Sequence, residues 1–192
     1  MYMNGFSVKV IPGNEVAGGY VEIAHGTVYR LALRNDTDVR CDARVEIDGT
    51  NVGKWRIEAH DRIELERGVG SDGQFTAYVP GTHEGDAAGV DYSNPKLGLI
   101  GVEFTPEKRF VLGSNLIAKG FGPQAQSMGT ERGAIGTGLS GHSGQQFGQA
   151  GRIRYDFDAQ VIIYLRLKEV PGAGAGPRPL VGAVAPVPPR LY

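Results

Sequence analysis

An all-β fold is what this sequence predicts, and three observations carry the prediction. Apolar and charged residues alternate with a period of two from Phe6 to about Phe104, as in strands with one face on a core and one in water. Turn-rich segments divide these runs into short pieces, the pattern of an antiparallel sandwich or barrel. No segment carries a convincing amphipathic helical stripe, and the connections are too rich in glycine for the helical crossovers of an α/β sheet. The expected architecture is an antiparallel β-sandwich, jelly-roll or immunoglobulin-like, of about eight strands.

Residues 8–11 read as the first strand. Tyr29, Leu31 and Leu33 then alternate with Arg30 and Arg34, and Asn35-Asp36-Thr37-Asp38 supplies the residues of a hairpin turn. Residues 39–47 are the clearest strand, with every odd position apolar or small and every even one charged. Asp48-Gly49-Thr50-Asn51 predicts a tight reversal, because glycine accepts positive φ without steric cost. Residues 52–57, 62–65, 74–79, 97–104 and 161–167 complete the series, the last with Val161, Ile163, Leu165 and Leu167 in phase.

Composition sets the outer limits. The chain has 192 residues, enough to bury roughly 70% of its unfolded surface. Twenty Lys and Arg against twenty-one Asp and Glu leave a formal charge of −1, which argues against nucleic acid and anionic membranes as partners. One cysteine, Cys41, rules out an internal disulfide and a multi-cysteine metal site. No secretory leader is visible at the start, and no apolar run is long enough to span a bilayer.

Glycine is the abnormal component of the composition, at thirty residues. Ten of them fall in residues 119–151, which are expected to form a long surface excursion within the 1–170 domain. Residues 171–192 carry six of the eleven prolines and four glycines. Proline fixes φ and removes a donor, so an extended polyproline-like arm is expected there.

The chemical motifs are mostly explained by turns and strands. Gly136-Thr137-Gly138-Leu139-Ser140-Gly141 matches a dinucleotide fingerprint in letters, but no apolar helical stripe follows it. Gly141-His142-Ser143-Gly144-Gln145 departs from a nucleophile elbow at its fifth residue. His25, His60, His83 and His142 show no ligand spacing, and the Asp/Asn turns at 35–38 and 48–51 lack the length of a calcium loop. Asn35-Asp36-Thr37 is a glycosylation sequon that a turn also explains. Cys41 sits on an apolar strand face and reads as packing. Trp55 and Tyr78 are candidates for a sugar-stacking platform, although aromatics scattered through strands more commonly fill cores. No catalytic residue, cofactor or metal is expected.

The stretch Tyr29-Arg30-Leu31-Ala32-Leu33-Arg34-Asn35-Asp36, the hairpin around Asp48-Gly49, and Gly98-Leu99-Ile100-Gly101-Val102-Glu103-Phe104 resemble a family of uncharacterised bacterial and phage-borne β-sandwich proteins. The resemblance covers residues 20–168 and implies a fold, with no catalytic residues to carry over. In layout, a small β domain with a Pro/Gly/Ala-rich arm is similar to capsid decoration and head-spike or fibre proteins of tailed phages. That likeness implies a non-enzymatic virion structural protein on the particle surface, a homo-oligomer or a partner of capsid protein. Its arm would dock through Arg178, Leu180, Arg190, Leu191 and Tyr192. The alternatives are a carbohydrate- or surface-binding module, and a bacterial cytoplasmic location in place of the virion.

Overall fold

The structure, a computed structural model, describes residues 1–109 and 133–170. The arm residues Arg178, Leu180, Arg190, Leu191 and Tyr192, and the first part of the glycine-rich excursion, lie outside the described residues.

The strands in chain order are β1 (Tyr2–Met3), β2 (Phe6–Ile11), β3 (Asn14–Val16), β4 (Tyr20–Ile23), β5 (Arg30–Asn35) and β6 (Cys41–Ile47). They continue with β7 (Thr50–Ile57), β8 (Arg62–Leu65), β9 (Gln74–Tyr78), β10 (Leu99–Pro106), β11 (Gly136–Ser140) and β12 (Val161–Glu169). One short helix, α1 (His83–Ala87), follows β9. A four-stranded sheet has the order β1-β2-β5-β8, a six-stranded sheet β3-β4-β12-β10-β6-β7, and β11 pairs with β9 alone. All pairs are antiparallel except β4–β12. The protein is therefore mostly β, as the alternation implies.

The two larger sheets share one apolar core. Val8 and Leu33 from the four-stranded sheet, and Val45, Val102 and Leu165 from the six-stranded one, are wholly buried in it. Phe6 stacks on Phe104 across the gap, with ring centroids 4.7 Å apart. Each such side chain contributes about 2 kcal/mol by leaving water, so the period-two pattern is the main source of sheet stability.

The alternation does not determine how strands are distributed between sheets. Asn35-Asp36-Thr37-Asp38 is not a hairpin turn: it carries the chain from β5 in one sheet to β6 in the other. Asn35 is wholly buried there. Its Nδ2 donates to the carbonyls of Val39 and Glu58 at 2.8 and 3.0 Å. Its Oδ1 accepts from the Thr37 amide at 3.0 Å and the Thr37 hydroxyl at 2.7 Å. A turn-type residue has become a buried clamp between sheets.

The reversal at Asp48-Gly49 does form, joining β6 to β7 with φ of 52° and 85°. Both angles being positive suits a two-residue hairpin loop, whose twist matches that of the strands. Asp48 also reaches further. Its carboxylate accepts the amides of Gly98 and Thr137, both at 2.6 Å, and its carbonyl accepts Asn94 Nδ2 at 2.9 Å. Burial pushes its carboxyl up to about 6, against the pull of those two amides and of the Arg166 charge.

Twelve strands appear among the described residues instead of about eight. Tyr2–Met3 and Asn14–Val16 are too short for periodicity to reveal, and Tyr20–Ile23 is a four-residue alternation that the sequence reading does not pick out. The fourth, β11, lies inside the expected glycine-rich excursion. Gly136 and Gly138 work there by lacking a side chain. A Cβ on Gly138 would stand 2.5 Å from the Ala88 Cβ, and one on Gly136 2.5 Å from Val90 Cγ1. Gly138→Val is expected to cost about 2 kcal/mol through overpacking, read as a lowered urea midpoint; an unchanged midpoint would refute this role.

The helix α1 was also not expected. Thr82 caps it, its Oγ1 accepting the Gly85 amide at 3.0 Å. Five residues leave no room for a readable helical stripe.

Candidate functional site

Residues 141–160 run alongside the β6–β7 end of the six-stranded sheet, held there by side chains of β7 and by the segments after β8 and β10. The segment is anchored first against β8 and the chain that follows it. Gln145 Nε2 donates to the Glu64 carbonyl at 2.6 Å, and Gln145 Oε1 accepts the Glu66 amide at 3.0 Å. Arg67 donates through Nε to the Gln145 carbonyl at 3.0 Å and lies over the Phe147 ring at 4.5 Å. Phe147 meets Trp55 edge to face, with centroids 5.6 Å apart. Farther on, Tyr155 bridges to Glu107 and the Asp156 amide donates to the Pro106 carbonyl at 2.9 Å.

Between these anchors lies a cleft of about 350 Å³. Its floor is the outer face of the β6–β7 pair, where Asp42 stands opposite Arg56 in register. Strand alternation places Lys54 and Arg56 on that face and turns Trp55 inward. Asp42 accepts Arg56 Nε at 2.5 Å and the Tyr155 hydroxyl at 2.6 Å. Lys54 Nζ donates to that hydroxyl at 3.0 Å. Burial by itself would raise the Asp42 carboxyl, but Arg56, Tyr155 and Lys54 hold it below the usual range. The Tyr155 hydroxyl in turn holds Lys54 above its ordinary value.

The free groups of the cleft are donors. The amides of Gly148, Gln149, Ala150 and Gly151 make no hydrogen bond to another described residue, and Arg152 has no partner among them; all five residues are exposed to solvent. Trp55, turned to the core side of β7, is 8% exposed and keeps a buried, unpartnered Nε1 there, away from the cleft. Tyr155 stands beside Phe157, which is 68% exposed, with ring centroids 5.6 Å apart.

The motifs weighed from sequence go elsewhere. Gly136 to Ser140 of the fingerprint-like run form strand β11, with no helix beginning behind it. The Ser143 hydroxyl donates to Glu66 Oε2 at 2.8 Å, while the exposed His142 lies 3.4 Å from Asp72. His25 Nδ1 accepts the Val79 amide at 3.0 Å, and His60 lies 3.0 Å from Asp38. Among the described residues no three His, Cys, Asp or Glu side chains gather as a metal site. Cys41 is buried in the core, which pushes its thiol up to about 12. Trp55 also belongs to that core, and Tyr78 packs against the separate cluster of Val90, Leu97 and Ala134. Beside the cleft, the exposed Phe157 adjoins a half-buried Tyr155. Sequence reading missed Arg152 and Tyr155 because 113 positions separate Asp42 from Tyr155, and no local pattern links them. No family model, curated protein or solved structure matches the chain.

Proposed function

We propose that this chain is a non-enzymatic structural protein that docks through its β domain and through the arm of residues 171–192. A capsid decoration or head-spike component on the surface of a tailed-phage particle is the role that its layout fits best. The carrying observation is the division of the chain. The apolar core of the described residues draws on positions from Phe6 to Leu167. The sequence after Val170 changes abruptly to proline, glycine and scattered apolar residues. A proline-rich segment loses less entropy on docking than a flexible one, and repeated copies add avidity through effective concentration.

The finer fold, a β-sandwich of jelly-roll or immunoglobulin-like kind, is part of the same proposal. Two sheets facing each other through Phe6 and Phe104 support the sandwich. The parallel β4–β12 pair is a departure from a purely antiparallel version of either.

Light scattering on the full chain and on a chain ending at Val170 tests the role of the arm. The expected result is a defined oligomer that dissociates on truncation while circular dichroism stays that of a β protein. A full-length monomer that binds no capsid surface would refute the assignment. The second reading, a carbohydrate- or surface-binding module, is favoured by the donor-rich cleft beside Tyr155.

A further inference from the structure

We infer that His25 is a pH-dependent tie between the chain after β4 and the joint from β9 to α1, holding Val79 while its ring is neutral and giving up Val79 for Glu84 once the ring is charged. It is independent of both readings of function.

A single hydrogen bond fixes the tautomer. The Val79 backbone amide donates to His25 Nδ1 at 3.0 Å. A peptide nitrogen can only donate, so Nδ1 presents a lone pair and the ring proton sits on Nε2. Nε2 lies 3.8 Å from Glu84 Oε2, beyond hydrogen-bond reach. A further proton on this ring goes to Nδ1, where it sets two N–H groups against each other. The charged ring therefore loses Val79, and the Glu84 carboxylate is the partner that favours the new state. One side chain thus has a different partner in each of its two charge states. The His25 side chain is 32% exposed, so a proton reaches it from solvent without unfolding.

The other neighbours do not compete for the ring. Tyr78 of β9 meets it edge to face, with centroids 5.8 Å apart. On the preceding strand Glu22 is held by Asn14, and Lys168 of β12 lies over the Tyr20 ring. Among the described residues His83 and Asp86 of α1, and Glu169 opposite Ile23 on β12, form no ion pair.

Position gives the tie its leverage. The Val79 carbonyl accepts the Thr82 hydroxyl at 2.7 Å, and Thr82 in turn caps α1. After α1, Ala88 and Val90 pack with Leu97 and Ala134. Two residues before His25, the Ile23 carbonyl accepts the Val170 amide at 3.3 Å, where the described chain ends. Acidification is expected to loosen the Val79 end of this joint while the Thr82 cap stays in place.

Heteronuclear NMR of the full chain, reading the imidazole nitrogens and Val79 amide exchange, tests the inference. At about pH 7.5 His25 should be the Nε2–H tautomer with a protected Val79 amide, and at about pH 5 Nδ1 should be protonated. The Val79 protection factor should then fall about tenfold, as expected for one lost hydrogen bond. His25→Gln retains an acceptor, Asp48 and the other three histidines, and should show equal protection at both pH values. Glu84→Gln, at an exposed position, should leave protection at the higher pH unaltered and move the transition to lower pH, because the charged ring loses its partner. An Nδ1–H tautomer at the higher pH, or Val79 protection that is constant in the wild type or falls equally in His25→Gln, would overturn the tie. A transition unmoved by Glu84→Gln would overturn the exchange of partners. These readouts are local to His25, so their failure is distinguishable from failure of the assembly measured by light scattering.

Discussion

Asn35→Asp is expected to destabilise this protein by about 3 kcal/mol or more, although it changes one atom and keeps the side-chain shape. The buried Asn35 amide serves four groups, donating to the carbonyls of Val39 and Glu58 and accepting twice from Thr37. Aspartate keeps the accepting side and loses the donating side. A carboxylate oxygen would then face two carbonyl oxygens in a site that excludes water, and neither repulsive contact could be relieved by solvent. Protonation would restore one donor at most. Against a typical total stability of about 5–15 kcal/mol, this is a large share. Thr37→Val is the control, because it removes the hydroxyl and leaves the Asn35 donors in place, at about 1 kcal/mol. Urea midpoints of both variants measure the contrast. An Asn35→Asp midpoint equal to wild type would show that the crossover does not depend on this clamp.

A second large effect is expected at Asp48. Asp48→Ala orphans the amides of Gly98 and Thr137 together and places alanine at a positive φ. The combined cost is about 3 kcal/mol. The same carboxyl sets a pH dependence whose sign is opposite to that of a salt-bridged aspartate. Its folded value is raised from 3.8 to about 6. Between those limits the folded chain holds a proton that the unfolded chain releases, so the Asp48 contribution to stability grows as pH falls from 7 towards 4. The value near 6 already includes the pull of the two amides towards the ionised form, and it corresponds to a gain on the order of 1–2 kcal/mol between pH 7 and pH 5. Asp42 has the reverse sign: its lowered carboxyl contributes stability above its unfolded value and loses it as pH falls through the folded one. The Asp48 effect is therefore cleanest between about pH 6 and 5. Guanidinium or urea midpoints at pH 7 and pH 5 should rise for the wild type and stay level for Asp48→Asn. A wild-type midpoint that falls over this interval would contradict the burial argument.

The two residues show where sequence reading stops. Asn35 and Asp48 both sit in Asx-rich segments that signal a change of direction, and the chain does change direction at both. At Asp48-Gly49 the reversal is local, because two successive positive φ angles bring adjacent strands together. At Asn35 the same residue types serve a crossing between sheets. That choice depends on the partners of β5 and β6, which come from residues 6–11, 62–65 and 99–106. The glycines of residues 133–151 make the same point in another form. Composition alone suggests a segment with little reason to order. In the folded chain Gly136 and Gly138 let β11 approach Val90 and Ala88 more closely than any side chain would permit.

What the sequence by itself determined is the β class, most strand positions, the Asp48-Gly49 hairpin and the burial of Cys41, all of which follow from period-two alternation or local φ preference. Only the tertiary structure decided the division into sheets, the parallel β4–β12 pair, the Asn35 clamp and the cleft of Asp42, Lys54, Arg152 and Tyr155. Each of these is a contact between residues far apart in the chain. Alternation tells a strand which face to bury, but the neighbour against which it buries that face is set by the packing of the whole core.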